Sequence, residues 1–181
     1  SSPDRIKAIQ YARKYVEARP VYLDTETTGV RNDSEIIEFS ILDHDGSVLL
    51  DTLVNPRLPI PADATRVHGI TNEMVAGAPG WNEVWPEVLS ILDGRYVGIY
   101  NVDFDLRLMK QSCQGSGIAW RNPRSKLFCL MKLYAYFYGE RDFRKGGYRW
   151  QSLDDAGRQC GIELPNAHRS KDDTLLTREL L

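Results

Sequence analysis

Three short segments that favour β-strands follow one another in the first third of the chain. Val21–Glu26 starts apolar and β-branched, and Glu35–Leu42 and Ser47–Val54 come after it. The last two segments are joined by Asp43-His44-Asp45-Gly46, whose Asp and Gly suit a tight hairpin turn. This order predicts a three-stranded antiparallel meander. Because helical patterns dominate the rest of the chain, the sequence predicts an α/β or α+β sheet domain.

Helical patterns occupy both ends of the chain and most of its second half. Ser2-Pro3, followed by periodic apolar residues, predicts a capped helix that ends before Pro20. Prolines at positions 56, 59 and 61 predict a non-helical connection after the meander. Further helices are predicted at Asn72–Ala76, Trp81–Leu92, Phe104–Gln111, Met131–Tyr138, Ser152–Cys160 and from Ser170 onward, with short strands at Tyr96–Tyr100 and Leu127–Leu130.

The length of 181 residues suits one domain with its own apolar core. We divide the chain into an N-terminal helical extension, residues 1–20, and a domain over residues 21–181. The last helical segment reaches Leu181 without a C-cap signal, which is expected if the domain is a fragment of a longer protein.

Composition predicts a soluble protein, with 42% hydrophobic and 27% charged residues. No apolar run approaches the ~20 residues that a membrane span needs, so no membrane association is expected. Cys113, Cys129 and Cys160 are odd in number and too scattered for a CxxC metal site. Reduced thiols and a cytoplasmic location are therefore expected.

The net charge of −2 argues against a protein that coats nucleic acid, because such binding needs many Lys and Arg side chains. Positive charge is concentrated in residues 121–150, which contain eight basic and two acidic residues. The net charge of this segment is +6, and that of the remaining chain is −8. Two interpretations explain this division of charge equally well. One is a basic groove that lies beside an acidic metal site, and the other is an ordinary solvated surface.

Asp24 and Glu26 interrupt the first predicted strand near its carboxyl end. Because side chains alternate along a strand, the two carboxylates project from the same face. Two carboxylates this close in the chain and on the same face disfavour each other's ionisation unless a cation neutralises them. Hard cations such as Mg²⁺ prefer oxygen ligands. The pair therefore predicts a divalent-metal site, although a solvated strand end is the simpler interpretation of so short a pattern.

Two later segments add acidic residues at predicted helix starts. Asp105 lies in Tyr100-Asn101-Val102-Asp103-Phe104-Asp105, directly after a predicted strand, where favourable placement on the helix dipole is the alternative role. Asp173 follows His168 by five residues, and His168 is predicted in the loop after Pro165-Asn166. Ser170 with Asp173 also resembles a helix capping box.

Taken together, the three segments resemble the DEDDh exonucleases of the DnaQ-like proofreading type. The resemblance rests on Asp-x-Glu on a strand, Asn-x-x-Phe-Asp at a helix start, and His with Asp five residues later. It covers residues 21 to the end and implies a ribonuclease-H-like fold. In that fold a mixed five-stranded sheet is flanked by helices, strands one to three form the antiparallel meander, and strands one, four and five are parallel.

The resemblance also implies roles for individual residues. Asp24, Glu26, Asp105 and Asp173 would hold two divalent ions, Mg²⁺ or Mn²⁺, and His168 would be the general base. Residues that match family positions near the terminal nucleotide are Thr27, Thr28, His68, Asn101 and Phe104. Their alternative roles are structural, since the threonines suit a turn, His68 a helix cap and Phe104 the core.

The expected activity is 3′-to-5′ exonuclease hydrolysis at the 3′ end of DNA, single-stranded or frayed, with release of nucleoside 5′-monophosphates. Two alternatives stay open, an exoribonuclease on RNA ends or short RNA oligomers and a non-catalytic nucleic-acid-binding domain. The expected partners are single-stranded DNA or RNA 3′ ends and another domain or subunit of a nucleic-acid-processing complex. A homodimer is compatible with the resemblance.

Overall fold

A computed structural model describes residues 2–164 and 168–181. The helices and strands, in chain order, are α1 Pro3–Glu17, β1 Val21–Thr27, β2 Ile36–Leu42, β3 Val48–Leu53, α2 Ala62–His68, α3 Asn72–Val75, α4 Trp81–Leu92, β4 Tyr96–Ile99, α5 Val102–Gly115, β5 Lys126–Cys129, α6 Leu130–Tyr138, α7 Leu153–Gln159 and α8 Ser170–Glu179. Within these residues no helix combines the length and apolar character that crossing a membrane requires.

The strands form one five-stranded sheet in the order β3-β2-β1-β4-β5. β1 pairs with β2, and β2 with β3, in antiparallel orientation. β4 lies parallel to both β1 and β5. The predicted mixed sheet, with its antiparallel meander and its parallel strands one, four and five, is therefore confirmed. Because β1 is central, its carboxyl end lies beside the starts of the segments that follow β4.

Helices cover both faces of the sheet. On one face, Leu23 and Phe39 pack with Trp81 and Trp85 of α4, and α5 completes this main core cluster. On the other face, Tyr22 packs with residues of α6 and α7, and α8 lies across β1 and β2. Alternation along β1 consequently turns Asp24 and Glu26 toward the face that α8 covers.

The N-terminal helix packs directly on the body of the domain. The Tyr15 ring stacks on Phe128 of β5 with 4.0 Å between ring centroids. The Arg5 guanidinium lies 4.4 Å from the centroid of the Phe137 ring on α6. Ser2 caps α1 by accepting a hydrogen bond from the backbone N–H of Arg5. The cap is as predicted, and the domain boundary at residue 20 stays a prediction.

The predicted non-helical connection after the meander was wrong for residues 62–68, which form α2. Pro61 precedes the helix with φ −62°, and a proline there removes no hydrogen bond because the first N–H groups of a helix have no partner within it. Gly69 ends α2 in the left-handed conformation at φ 75°. Helix α5 is also longer than predicted at both ends. Other boundaries agree to within one or two residues.

Candidate active site

Asp24, Glu26 and Asp173 form the centre of the site. One carboxylate oxygen from each of these residues lies within 4.8 Å of those of the other two. Asp24 and Glu26 come from the same face of β1, where a β-bulge follows Glu26. Asp173 lies in the first turn of α8, whose positive dipole end favours an acidic side chain. Residues 149 positions apart in the chain thus meet at one end of the sheet.

Asp105 approaches the cluster from α5. Its carboxyl group is buried, with 4% of the residue exposed, and accepts a 2.9 Å hydrogen bond from the hydroxyl of Thr25. Thr25 projects from β1 on the face opposite to Asp24 and Glu26, and this bond fixes α5 against the strand. After burial, the charge of Asp105 is the largest influence on Asp24, and it raises the pKa of Asp24.

Burial is the first cause of raised pKa values throughout the cluster, and neighbouring carboxylates add to it at Asp24 and Glu26. The pKa of Asp24 lies well above its ordinary value, and that of Glu26 rises to about 9. Burial raises the pKa of Asp105 to about 7 and that of Asp173 to about 6. Without cations, Asp24 and Glu26 therefore resist ionisation at neutral pH. A cluster whose donors are all carboxylate oxygens fits a hard divalent cation.

His168 lies at the edge of the cluster. Its backbone has a positive φ of 68°, and its N–H donates to Asp173 Oδ1 at 3.3 Å. Its imidazole is 48% exposed, and Nε2 lies 3.4 Å from Asp154 Oδ2 of α7. Residues 165–167, where a loop was predicted before this histidine, lie outside the described residues. The sequence interpretation missed Asp154 because an acidic residue in a first helical turn usually needs no further explanation.

A fifth carboxylate, Glu38 of β2, lies beside the cluster and has its own cation. Glu38 stands opposite Glu26 in the strand register and is 3% exposed. Arg169 Nε donates to both of its carboxylate oxygens at 3.0 and 3.2 Å, and the Ser170 N–H donates at 2.7 Å. These bonds fasten the start of α8 to β2. Sequence reasoning missed the pair, although a glutamate inside the apolar run of β2 is an unusual feature that could have drawn attention to it.

Thr27 and Thr28 are held inside the turn that follows β1. The Thr27 hydroxyl donates to the Gly29 carbonyl at 2.7 Å. The Thr28 hydroxyl accepts from the Glu35 N–H at 3.0 Å, and the Thr28 N–H donates to the Glu35 carbonyl at 2.9 Å. Both hydroxyls and the Thr28 N–H therefore shape the turn, which is the structural alternative weighed for them above.

His68 joins the end of α2 to the end of β1. Its Nδ1 accepts from the Ile70 N–H at 3.0 Å, so Nε2 is the atom that donates to the Thr27 carbonyl at 3.1 Å. Burial lowers the pKa of His68, which favours this neutral form. Asn101 and Phe104 are both half-buried beside Asp105, and the Phe104 ring packs against the main core cluster.

The basic segment at residues 121–150 does not form one groove. Arg121 and Arg124 border a cavity beside α4, and Arg124 pairs with Asp93 there. Four other basic residues line a separate cavity on the loop before α7, namely Arg141, Arg144, Lys145 and Arg149. These basic residues are therefore divided between two surfaces, and of the two interpretations left open above the single groove is not supported.

Comparison with known proteins gives the family. A profile of the exonuclease family RNase_T matches residues 21–181, which contain every element that contributes to the cluster. The chain belongs to this exonuclease family. The uncharacterized exonuclease CP81 of Escherichia phage 186 is 41% identical over 175 residues, covering 93% of this chain and 89% of that protein. This assignment confirms the predicted nuclease class.

Other relatives of this exonuclease-family chain are polymerase proteins. DNA polymerase III subunit epsilon of Aquifex aeolicus is 29% identical over 185 residues, covering 99% of this chain and 85% of that subunit. DNA polymerase III PolC-type of Clostridium perfringens is 30% identical over 165 residues, but the chain spans 11% of its length. The same exonuclease domain thus occurs both nearly alone and within much larger proteins.

Solved structures share the fold. The nuclease domain of 3′hExo, a DEDDh family member bound to rAMP, has a TM-score of 0.72 at 18% identity, with 88% of each chain covered. Exonuclease X in complex with 5′ overhanging duplex DNA has a TM-score of 0.67 at 24% identity, covering 88% of this chain and 87% of that one. These likenesses confirm the ribonuclease-H-like fold.

Proposed function

We propose that this exonuclease acts in the 3′-to-5′ direction on the 3′ end of DNA, single-stranded or frayed, and releases nucleoside 5′-monophosphates. The carboxylate cluster of Asp24, Glu26 and Asp173, with Asp105 beside it, carries the proposal. Uncompensated acids repel a polyanion, so a protein that only bound nucleic acid would gain nothing from gathering them. The relationship to DNA polymerase III subunit epsilon supports DNA as the substrate.

The four acidic residues would hold two divalent ions, Mg²⁺ or Mn²⁺. Such a pair, when bound, activates a water, polarises the scissile phosphate and stabilises the leaving 3′-oxygen. The protein supplies a fixed arrangement for the pair because its ligands sit on β1, α5 and α8, which are packed against one another. The hydrogen bond from Thr25 to Asp105 and the one from His168 N–H to Asp173 hold two of the carboxylates in position.

His168 is the general base in this proposal. Its backbone N–H bonds Asp173, which places its half-exposed imidazole at the edge of the cluster. Asp154 Oδ2, 3.4 Å from Nε2, orients the ring, because a carboxylate that accepts a hydrogen bond from Nε2–H leaves the Nδ1 lone pair free to take a proton from water. The same carboxylate stabilises the imidazolium after the transfer.

Asn101 and Phe104 are the residues we assign to the terminal nucleotide. Both lie within four residues of Asp105 and stay partly exposed, and a partly exposed aromatic ring suits stacking on a base. Thr27, Thr28 and His68 support them indirectly by shaping the neighbouring turn. A larger protein or complex would carry the partner domain or subunit, as in the PolC-type relatives.

RNA is the alternative substrate. The nuclease domain of 3′hExo, which shares the fold, is bound to rAMP. Incubating matched DNA and RNA single strands, each labelled at the 5′ end, with the protein and Mg²⁺ or Mn²⁺ decides between them. A ladder of products shortened from the 3′ end is expected, and the DNA strand should shorten faster.

Glu26→Gln is the sharpest control for this experiment because it keeps the shape of the side chain and removes its charge. It should abolish shortening of both strands. Glu87→Gln, the same change at an exposed residue of α4, should leave the rate as in the unmodified protein. Shortening that survives Glu26→Gln, or products that lack a 5′-phosphate, would contradict the proposal.

A further inference from the structure

The loop between α6 and α7 is an ordered basic hairpin, which we define as residues 139–150. Arg141 and Tyr148 form an antiparallel bridge across it. The Asp142 carboxylate accepts from the N–H groups of Arg144 and Lys145, both at 3.0 Å. Gly146 and Gly147, at φ 75° and 78°, allow the chain to turn back. The hairpin therefore presents its tip in a fixed conformation.

The base of the basic hairpin lies at the same sheet end as the carboxylate cluster. Tyr100, the residue that follows β4, donates a hydrogen bond from its hydroxyl to the Gln151 carbonyl at 2.8 Å. Trp150 is four residues before Asp154, the partner of His168, so at most about 14 Å of chain separates them. The tip, residues 143–145, lies at least nine residues before Asp154 in the chain. The hairpin is thus joined to the edge of the active site through its base.

The tip of the basic hairpin exposes an aromatic ring between positive charges. Phe143 is 94% exposed, the highest value among the exposed large hydrophobic residues of the described chain. Arg144 and Lys145 follow it, and within residues 2–164 and 168–181 neither side chain forms an ion pair. Asp142 accepts hydrogen bonds from the backbone N–H groups of both residues and forms no ion pair with either of their side chains.

An exposed ring beside unpaired cations matches the chemistry of a single-stranded nucleic acid. Unpaired bases stack on aromatic side chains regardless of sequence, and Lys and Arg contact the phosphates between them. A folded protein surface as a partner would more often bury an apolar patch, whereas this hairpin offers one ring surrounded by charge. Trp150, 59% exposed at the hairpin base, offers a second ring closer to the cluster.

We propose that the basic hairpin binds the single strand on the 5′ side of the terminal nucleotide, with Phe143 stacked on a base and with Arg144 and Lys145 on phosphates. The inference rests on the proposed function, because it assumes that the 3′ end occupies the carboxylate cluster. A dinucleotide held there is too short to reach the tip. The hairpin therefore acts on long substrates, and it sets how firmly the strand stays attached between successive cleavages.

Substitutions at the tip test this proposal, because these side chains pack against little and their loss leaves the fold intact. The probe is a single strand of about 12 nucleotides, within the usual site sizes of single-strand grooves. Arg144→Gln with Lys145→Gln should reduce the slope of log affinity against log salt by about 1.4, which corresponds to two phosphate contacts. Phe143→Ala should weaken binding at least about fivefold, as expected for one lost stack. Both should lower kcat/KM more on the 12-mer than on a dinucleotide.

Arg121→Gln with Arg124→Gln is the matched control, since it removes the same charge from the other basic surface. It should leave the salt slope and both kcat/KM values unchanged. Equal losses from this control, unchanged 12-mer binding in the tip variants, or equal losses on the 12-mer and the dinucleotide would each overturn the proposal. If the unmodified protein shortens no strand at all, the proposed function fails instead, so the two failures are distinguishable.

Discussion

Replacing Arg169 by Met should destabilise the protein more than replacing its partner Glu38 by Gln. The pair is asymmetric, because the Glu38 side chain is 4% exposed whereas that of Arg169 is 40% exposed. Removing Arg169 leaves a buried carboxylate, and in the described chain no other cation pairs with Glu38. Removing the charge of Glu38 leaves a guanidinium that water can still solvate. Arg169→Met therefore leaves a buried carboxylate unpaired, whereas Glu38→Gln leaves a partly exposed guanidinium unpaired.

The expected magnitudes follow from this difference. Breaking a buried ion pair so that one charge is left unpaired costs about 3 to 5 kcal/mol. Because Glu38 would keep its hydrogen bond from the Ser170 N–H, we expect the lower end of this range, about 3 kcal/mol, for Arg169→Met. Glu38→Gln loses charge-assisted hydrogen bonds but retains an acceptor for Ser170 and relieves repulsion on Glu26, so about 1 kcal/mol is expected. At roughly 2 to 4 °C per kcal/mol for a domain of this size, Tm should fall by about 6 to 12 °C and 2 to 4 °C.

Urea and thermal unfolding at pH 7 in EDTA measure both values. Combining Arg169→Met with Glu38→Gln should restore part of the stability lost in Arg169→Met alone, because no buried charge is then unpaired. Arg124→Met serves as the control, since it breaks an exposed pair with Asp93 and should cost at most about 1 kcal/mol. A Glu38→Gln variant as unstable as Arg169→Met, or a double variant less stable than both, would refute this reasoning.

Two further predictions concern the titrating groups. The pKa of Glu26 in the folded protein, about 9, exceeds its ordinary value of 4.5. The contribution of Glu26 to the stability of the metal-free protein is therefore full below pH 4.5 and is lost as the pH rises to about 9. The free energy of unfolding falls by up to ~1.4 kcal/mol per pH unit over this range. Tm in EDTA should fall across this range, Glu26→Gln should flatten the profile and added Mg²⁺ should restore stability at high pH; a Tm that rises with pH in EDTA would contradict the sign. Asp154→Asn should lower kcat about tenfold with little change in KM, because it removes the group that orients His168. Asp155→Asn, the same change at the neighbouring residue, should leave kcat unchanged. Steady-state kinetics that show equal effects of the two substitutions would exclude the orienting role.

Local sequence patterns predicted the five strands and the Asp24–Glu26 pair, whereas the mixed sheet topology came from the family resemblance. Alternation along β1 placed Asp24 and Glu26 on one face, and the Asp-Gly turn before Ser47 fixed the meander. Asp105 could be placed near the pair because it begins the helix that follows β4, and helix starts after parallel strands gather at one sheet end, whereas Asp173 begins a helix that follows another helix. The resemblance then supplied which acidic residues belong together. Helix α2 was missed because three prolines dominated the local signal.

Features that depend on tertiary register could not be read from the sequence. Nothing in the sequence around Arg169 indicates a special role, because its partner Glu38 lies 131 positions earlier in the chain and meets it only in the folded protein. Asp154 becomes a partner of His168 only when α7 and the start of α8 are packed together. Thr27 and Thr28 matched substrate-binding positions by pattern, yet their hydroxyls are used within the turn. In each case the missing information was which groups lie opposite one another in space.

The Glu38–Arg169 pair also bears on how many cations the site would take. Glu38 lies beside the four proposed ligands, and its charge contributes to the raised pKa values of Asp24 and Glu26. Arg169 neutralises Glu38 internally, which leaves four carboxylates carrying −4 when ionised. Two divalent ions carry +4, so the proposed pair of ions would balance the charge of its four carboxylate ligands. Because Ser170, bonded to Glu38, begins the helix that carries Asp173, the same contact that sets this charge also places the last ligand. Charge and geometry at the proposed metal site therefore depend on one buried ion pair that touches neither metal nor substrate in the proposed mechanism.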